Sequence, residues 1–180
     1  ALQGVSTVAA GQRVLVLGAS GGVGSYAVQL AKARGAHVTG VCSARKAEAV
    51  RALGADAVLD YARDGLGGPY DFILDLGGNN PLSVLRKALT PTGTLVFGGG
   101  EHGGDVFAGF ERQLWAVVVG LFVKQKFVML MNKEHFSSLE ELSALVEAGK
   151  VKPLVSRSWP LAQVPDAMRA LVAGEVTGKT

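Results

Sequence analysis

The sequence predicts an α/β fold, a doubly wound parallel sheet of about six strands with helices on both faces. Three observations carry this expectation. Short apolar runs alternate with amphipathic stretches from Arg13 to about Leu130, the pattern of repeated βαβ units. The first run, Val14 to Leu17, is apolar at every position, as expected of a strand buried on both faces. That run leads directly into Gly18-Ala19-Ser20-Gly21-Gly22-Val23-Gly24 and then into helical sequence, the order that a mononucleotide-binding unit requires.

Taken in order, strand one is Val14 to Leu17, and the helix after it opens at Gly22 with Val23, Ala27, Leu30 and Ala31 on one face. Strand two is His37 to Cys42. A short helix follows with Ala47, Val50 and Leu53 inward, and Gly54 closes it. Strands three and four are Ala57 to Tyr61 and Phe72 to Leu76. Gly77-Gly78-Asn79-Asn80 then leads to Pro81, with Asn80 as helix cap and Pro81 at the first helical position. Strand five is Thr94 to Phe97, closing into Gly98-Gly99-Gly100, and strand six is Phe127 to Leu130. Residues 1–136 thus read as a Rossmann domain.

From about Ser137 the organisation changes. Ser138-Leu139-Glu140-Glu141 has the form of a capping box ahead of Leu142, Leu145 and Val146, and Gly149 stops that helix. A strand-like stretch from Pro153 to Trp159 and a helix opening at Pro165 follow. Residues 137–180 therefore read as a helix-strand-helix segment belonging with a larger structure.

The glycine-rich turn has a physical role. Ala19-x-Gly21-x-x-Gly24 is a dinucleotide fingerprint with alanine in its first slot. Side chains there would collide with a pyrophosphate, whereas a helix N-terminus offers it free N–H groups and a positive dipole end. Ligands of such sheets bind at the carboxyl ends of the strands. The fingerprint residues Ala19, Ser20, Gly21, Gly22, Val23 and Gly24 should converge there with Cys42-Ser43, Gly77 and Gly98-Gly99.

Composition narrows the function classes. The net charge is +3, but the basic residues are scattered, which argues for a solvated surface and against nucleic-acid binding. The longest apolar run, Trp115 to Val123, is too short to span a bilayer. A single cysteine, Cys42, allows no internal disulfide and suits a reducing, cytoplasmic setting. His37, His102 and His135 are dispersed, so no metal site is expected. His102, in a glycine-rich loop after strand five, is the one histidine near the expected site.

The glycines also fit Gly18-x-x-x-Gly22-x-Gly24, the short-chain dehydrogenase pattern. That chemistry needs a Tyr-x-x-x-Lys pair, and Tyr26, Tyr61 and Tyr70 are followed four residues on by Leu30, Gly65 and Leu74. The end of strand two then selects the cofactor. NAD sites commonly place Asp or Glu there to bind the ribose hydroxyls, but this chain has Cys42-Ser43-Ala44-Arg45-Lys46. A carboxylate would repel a 2′-phosphate, whereas a hydroxyl and two cations hold it. Both cations also stand at a helix start, where the dipole disfavours them. NADPH is the expected cofactor.

These residues resemble the cofactor domain of medium-chain dehydrogenase/reductases. The match runs through Gly11-Gln12-Arg13-Val14-Leu15-Val16, Gly18 to Gly24, and Ala27-Val28-Gln29-Leu30-Ala31-Lys32. It continues through Val41-Cys42-Ser43, Leu53-Gly54-Ala55-Asp56, Asp60-Tyr61, Phe72-Ile73-Leu74-Asp75, Gly149-Lys150-Val151-Lys152-Pro153 and Gly178-Lys179-Thr180. The branch it resembles is the zinc-free quinone oxidoreductase, or zeta-crystallin-like, one. That resemblance implies backbone contacts from Gly21, Gly22 and Val23 to the pyrophosphate. It implies a 2′-phosphate site at Ser43, Lys46 and Tyr61, with Arg45 added, and a nicotinamide lined by Gly98, Gly99, Phe127 and Val128. Tyr61 equally fits a strand-end aromatic with a solvated hydroxyl.

The resemblance further implies hydride transfer to a quinone, an enone or a similar small electron-poor acceptor, with a homodimer allowed for. Two other readings stay open: an enoyl-reductase segment of a polyketide synthase, and a non-catalytic NADPH-binding module. The family carries a barrel-like catalytic domain ahead of this region, to which the resemblance assigns the returning segment 137–180, and Ala1-Leu2-Gln3-Gly4 resembles the middle of a family helix. The chain is therefore expected to be a domain fragment that binds cofactor but lacks most turnover, and no catalytic side chain is assigned.

Overall fold

Six parallel strands form one sheet in the order β3-β2-β1-β4-β5-β6 in the computed structural model, which describes residues 7–98, 111–130 and 136–180. The strands are β1 (Arg13–Leu17), β2 (His37–Cys42), β3 (Ala57–Asp60), β4 (Tyr70–Asp75), β5 (Leu89–Phe97) and β6 (Lys126–Met129). The helices are α1 (Gly24–Ala33), α2 (Ala47–Ala52), α3 (Leu82–Ala88), α4 (Glu111–Gly120), α5 (Phe136–Glu147) and α6 (Val164–Val172). Strand order reverses between β1 and β4, so their carboxyl ends splay apart and open a crevice there.

Strand β1 pairs with β2 on one side and β4 on the other. Its residues Val14 to Leu17 are essentially inaccessible, which is why no polar alternation shows in the sequence. Alternation instead sorts the side chains between two cores. Val14 and Val16 join Ala27, Val28, Leu30, Ala31 and Val50 on one face of the sheet. Leu15 and Leu17 join Ile73, Leu85, Leu95 and Ala116 on the other.

Several elements depart from the sequence expectation. Helix α1 begins at Gly24, two residues later than Gly22, and Val23 is 42% exposed instead of facing the core. Strand β5 extends back to Leu89, because Leu89 pairs with Tyr70 across a register shift. In α3 the cap is Pro81, extended at ψ 145°, and the helix starts at Leu82. The Ser138–Glu141 motif lies inside α5 rather than at its start. The strand-like stretch 153–159 forms a single bridge, between Val155 and Lys179.

The segment after β6 is joined to the sheet body. Leu142, Leu145 and Val146 of α5 pack against the α1-side core, and Val151 is fully buried in it. Gln29 of α1 completes the joint by donating to the Lys152 carbonyl and accepting from the Lys152 N–H, at 3.0 and 2.8 Å. Gly149, at φ +68°, turns the chain between helix and joint, a conformation that suits glycine.

Candidate functional site

At the carboxyl end of β1 the chain turns tightly. The N–H groups of Gly18 and Ala19 both donate to the Val41 carbonyl, at 3.1 and 3.0 Å, pinning the turn onto β2. A Cβ on Gly24 would lie 2.1 Å from the Gly18 carbonyl oxygen, so helix and strand meet only because that position has no side chain. Ser25 N–H donates to the Gly21 carbonyl and opens the helical ladder. Val23 makes no side-chain cap, and the first turn carries no acidic residue. Among the described residues the N–H groups of Gly22 and Val23 have no acceptor. The result is a positive helix end with unused donors at the surface, suited to an anion.

The end of β2 supplies the next wall. Cys42 is buried, and burial, with Asp60 beside it, pushes its thiol pKa up against the opposing pull of Lys46 and Arg51. Ser43 precedes a single 3₁₀ turn, Ala44–Lys46, without using its hydroxyl to cap it. Lys46 is held below the usual lysine range by burial first and the Arg45 charge second, partly offset by Cys42. Tyr61 follows β3, tied by its N–H to the Cys42 carbonyl at 3.2 Å, with its ring 69% exposed.

On the other side of the crevice stands β4. Its last residue, Asp75, is fully buried and accepts the Gly78 N–H at 3.0 Å, which shapes the Gly77-Gly78 turn. The Asp75 carbonyl accepts the Gly98 N–H at 2.8 Å, bringing the end of β5 alongside.

These ends enclose a cleft of about 570 Å³, lined by Gly18, Ser20, Cys42, Ser43, Arg45, Lys46, Tyr61 and Gly77 among others. A volume of that order suits part of a dinucleotide. No Asp or Glu lines it. Gly98 lies beyond its edge, where a Cβ would meet the Leu76 side chain at 2.6 Å. Phe127 packs into the core around Leu15 and Leu95, and Val128 is 45% exposed on β6; neither lines the cleft. Gly99, His102 and His135 lie outside the described residues. His37 stands exposed at the start of β2, at the opposite end of the sheet. Among the described residues no three His, Cys, Asp or Glu side chains converge on a metal-sized site.

The C-terminal segment contributes residues that sequence reasoning missed. Val172, Ala173 and Gly174, at the end of α6, line the cleft, as do Asn79 and Asn80. Gly178 N–H donates to the Ser20 carbonyl at 2.8 Å, laying the tail across the glycine turn. The Lys179 ammonium then sits over Gly22, whose missing Cβ would fall 2.6 Å from Nζ. The available signal was a lone lysine after Gly178 in strand-like sequence; nothing local marks Val172 to Gly174.

Comparison with known proteins agrees with this geometry. Residues 53–180 match the family described as zinc-binding dehydrogenase. The mouse NAD(P)H oxidoreductase RTN4IP1, mitochondrial, is 37% identical over 194 residues, covering 94% of this chain and 47% of that protein. The chloroplast envelope quinone oxidoreductase homolog of Arabidopsis thaliana is 36% identical over 175 residues, covering 92% and 50%. Among solved structures, the quinone oxidoreductase from Coxiella burnetii matches with a TM-score of 0.80 at 26% identity, over 98% of this chain and 55% of that one. The chain spans about half the length of the curated relatives it matches.

Proposed function

This chain belongs to the zinc-binding dehydrogenase family of medium-chain dehydrogenase/reductases, and from that membership we propose that it is the NADPH-binding part of a zinc-independent oxidoreductase acting on a quinone or enone. The observation that carries the cofactor choice is the pairing of Arg45 and Lys46 in a cleft lined by no carboxylate. Two cations with the Ser43 hydroxyl beside them complement a 2′-phosphate, and Asp or Glu is missing from the place where it would select a plain ribose.

The residues present fit the group. The glycine turn leaves room for a pyrophosphate where side chains would stand, with the Gly22 and Val23 N–H groups and the Lys179 ammonium facing it. Leu17, Val41 and Cys42 supply an apolar floor. Gly98 would lie toward the nicotinamide, a role the resemblance extends to Gly99, Phe127 and Val128, although the last two stand outside the cleft. When bound, the cofactor supplies the hydride; this chain binds it, orients it and keeps water from its buried face. Zinc independence rests on the dispersal of His37, His102, His135 and Cys42 in the sequence. The quinone preference is supported by the quinone oxidoreductases among the relatives.

Calorimetric titration with NADPH and NADH tests the reading. NADPH should bind more tightly, and Lys46→Ala should narrow the gap by about 1.5–3 kcal/mol, the worth of a charge-assisted contact. Equal affinities in the unaltered chain would overturn it.

A further inference from the structure

Arg45 and Lys46 do not wave freely over the cleft. Arg45 Nη2 donates to the Gly174 carbonyl at 2.7 Å, and Lys46 Nζ donates to the Val176 carbonyl. The acceptors lie 129 and 130 residues further along the chain. Both are neutral, so the two cations keep their charge. Arginine has five N–H donors and lysine three, so each tether leaves donors to spare. Among the described residues neither cation is in an ion pair. The tail that provides the carbonyls is itself fixed, by Gly178 on Ser20 and by the Val155–Lys179 bridge.

We propose that Gly174 is a positioning residue for cofactor selectivity: the turn it forms after α6, with the Val176 carbonyl beyond, holds Arg45 and Lys46 where a 2′-phosphate arrives. The inference rests on the NADPH reading and adds a distant determinant to it. Long cationic side chains lose much rotamer freedom when a ligand fixes them. Tethering one donor of each in advance removes part of that loss for a ligand carrying the 2′-phosphate and changes little for one lacking it. Gly174 adopts φ +66°, a left-handed conformation that glycine takes without strain and asparagine tolerates. The turn therefore depends on residue type at this position. Linkage makes the effect reciprocal: if the tail favours binding of the 2′-phosphate, the bound 2′-phosphate must stabilise the tail equally.

Adenosine 2′,5′-bisphosphate and AMP differ only in that phosphate and serve as probes on the full 180-residue chain. Affinities are read by calorimetry, and amide exchange is followed at Gly174, Glu175, Gly178 and Lys179. The bisphosphate should bind more tightly and should slow exchange at those four amides beyond the effect of saturating AMP. Gly174→Ala should lower the ratio of the two affinities by about fivefold, the lower end of typical coupling between sites, and Gly174→Asn should restore it. A chain that prefers the bisphosphate yet shows equal exchange with both probes overturns the positioning role while the NADPH reading stands; exchange in the unaltered chain decides this even if a variant fails to fold. A chain with no preference for the bisphosphate overturns both.

Discussion

Lys46 lines the cleft and Lys179 stands over the glycine turn, and their positions assign them different tasks. Lys46 stands beyond β2 beside Ser43 and Tyr61, whereas Lys179 reaches over Gly22. A cation over the glycine turn meets the pyrophosphate, which NADPH and NADH share. Lys179→Ala should therefore weaken both cofactors alike, by about 1–2 kcal/mol each for an exposed charge-assisted contact. Titrations showing loss of only one cofactor would refute this division of labour. Cys42 illustrates a residue whose surroundings restrain it. Burial raises its pKa, so the thiol beside the cleft stays protonated and poorly nucleophilic at neutral pH.

Among the elements, the α1 entry is the one on which cleft and core both depend. Gly24 lets the helix start against the Gly18–Ala19 backbone, with no room for a Cβ. Gly24→Ala should destabilise the chain by about 3 kcal/mol, the upper range for overpacking, and abolish cofactor binding; an unchanged urea midpoint would contradict the packing argument. This element was legible in the sequence because strand, glycines and helix follow one another within twenty residues. Strand β2 was legible too, its bounds agreeing to the residue. Other boundaries were not. The sequence starts strand five at Thr94, but pairing of Leu89 with Tyr70 draws the five residues before it into β5, so a tertiary contact overrides local preference. The capping box inside α5 fails similarly: the residues suit a helix start, and the helix simply begins earlier. Among the site residues, Ser20, Cys42, Ser43 and Gly77 could be read from where the strands end. Gly174 and Val176 could not, because only the folded chain brings them to Arg45 and Lys46.

At the scale of the whole molecule, the segment beyond α5 is held by hydrogen bonds and by very little buried surface. Val151 is the one buried residue between 148 and 180, and Gln29 brackets its neighbour Lys152 with two hydrogen bonds. Gln29→Ala should cost about 2 kcal/mol, since it leaves a part-buried N–H and C=O without their partner. Thermal unfolding measures the loss, and amide exchange at Lys152 should quicken more than exchange in β1. Equal effects at both places would mean that the joint carries no special share of the attachment. No described helix is long and apolar enough to cross a membrane.

The central place of β1 has a consequence for how the chain is made. Its partners are β2, which follows closely, and β4, which starts at Tyr70. While the polypeptide emerges from a ribosome, β3, β2 and β1 can assemble as soon as Asp60 is free. Until Asp75 is synthesised, however, β1 is an open edge of four consecutive apolar residues, the kind of edge that recruits other strands. The interval is short, about one to three seconds at ordinary elongation rates. During it that edge is open to pairing with other strands, and a translational pause between Asp60 and Asp75 would lengthen the exposure.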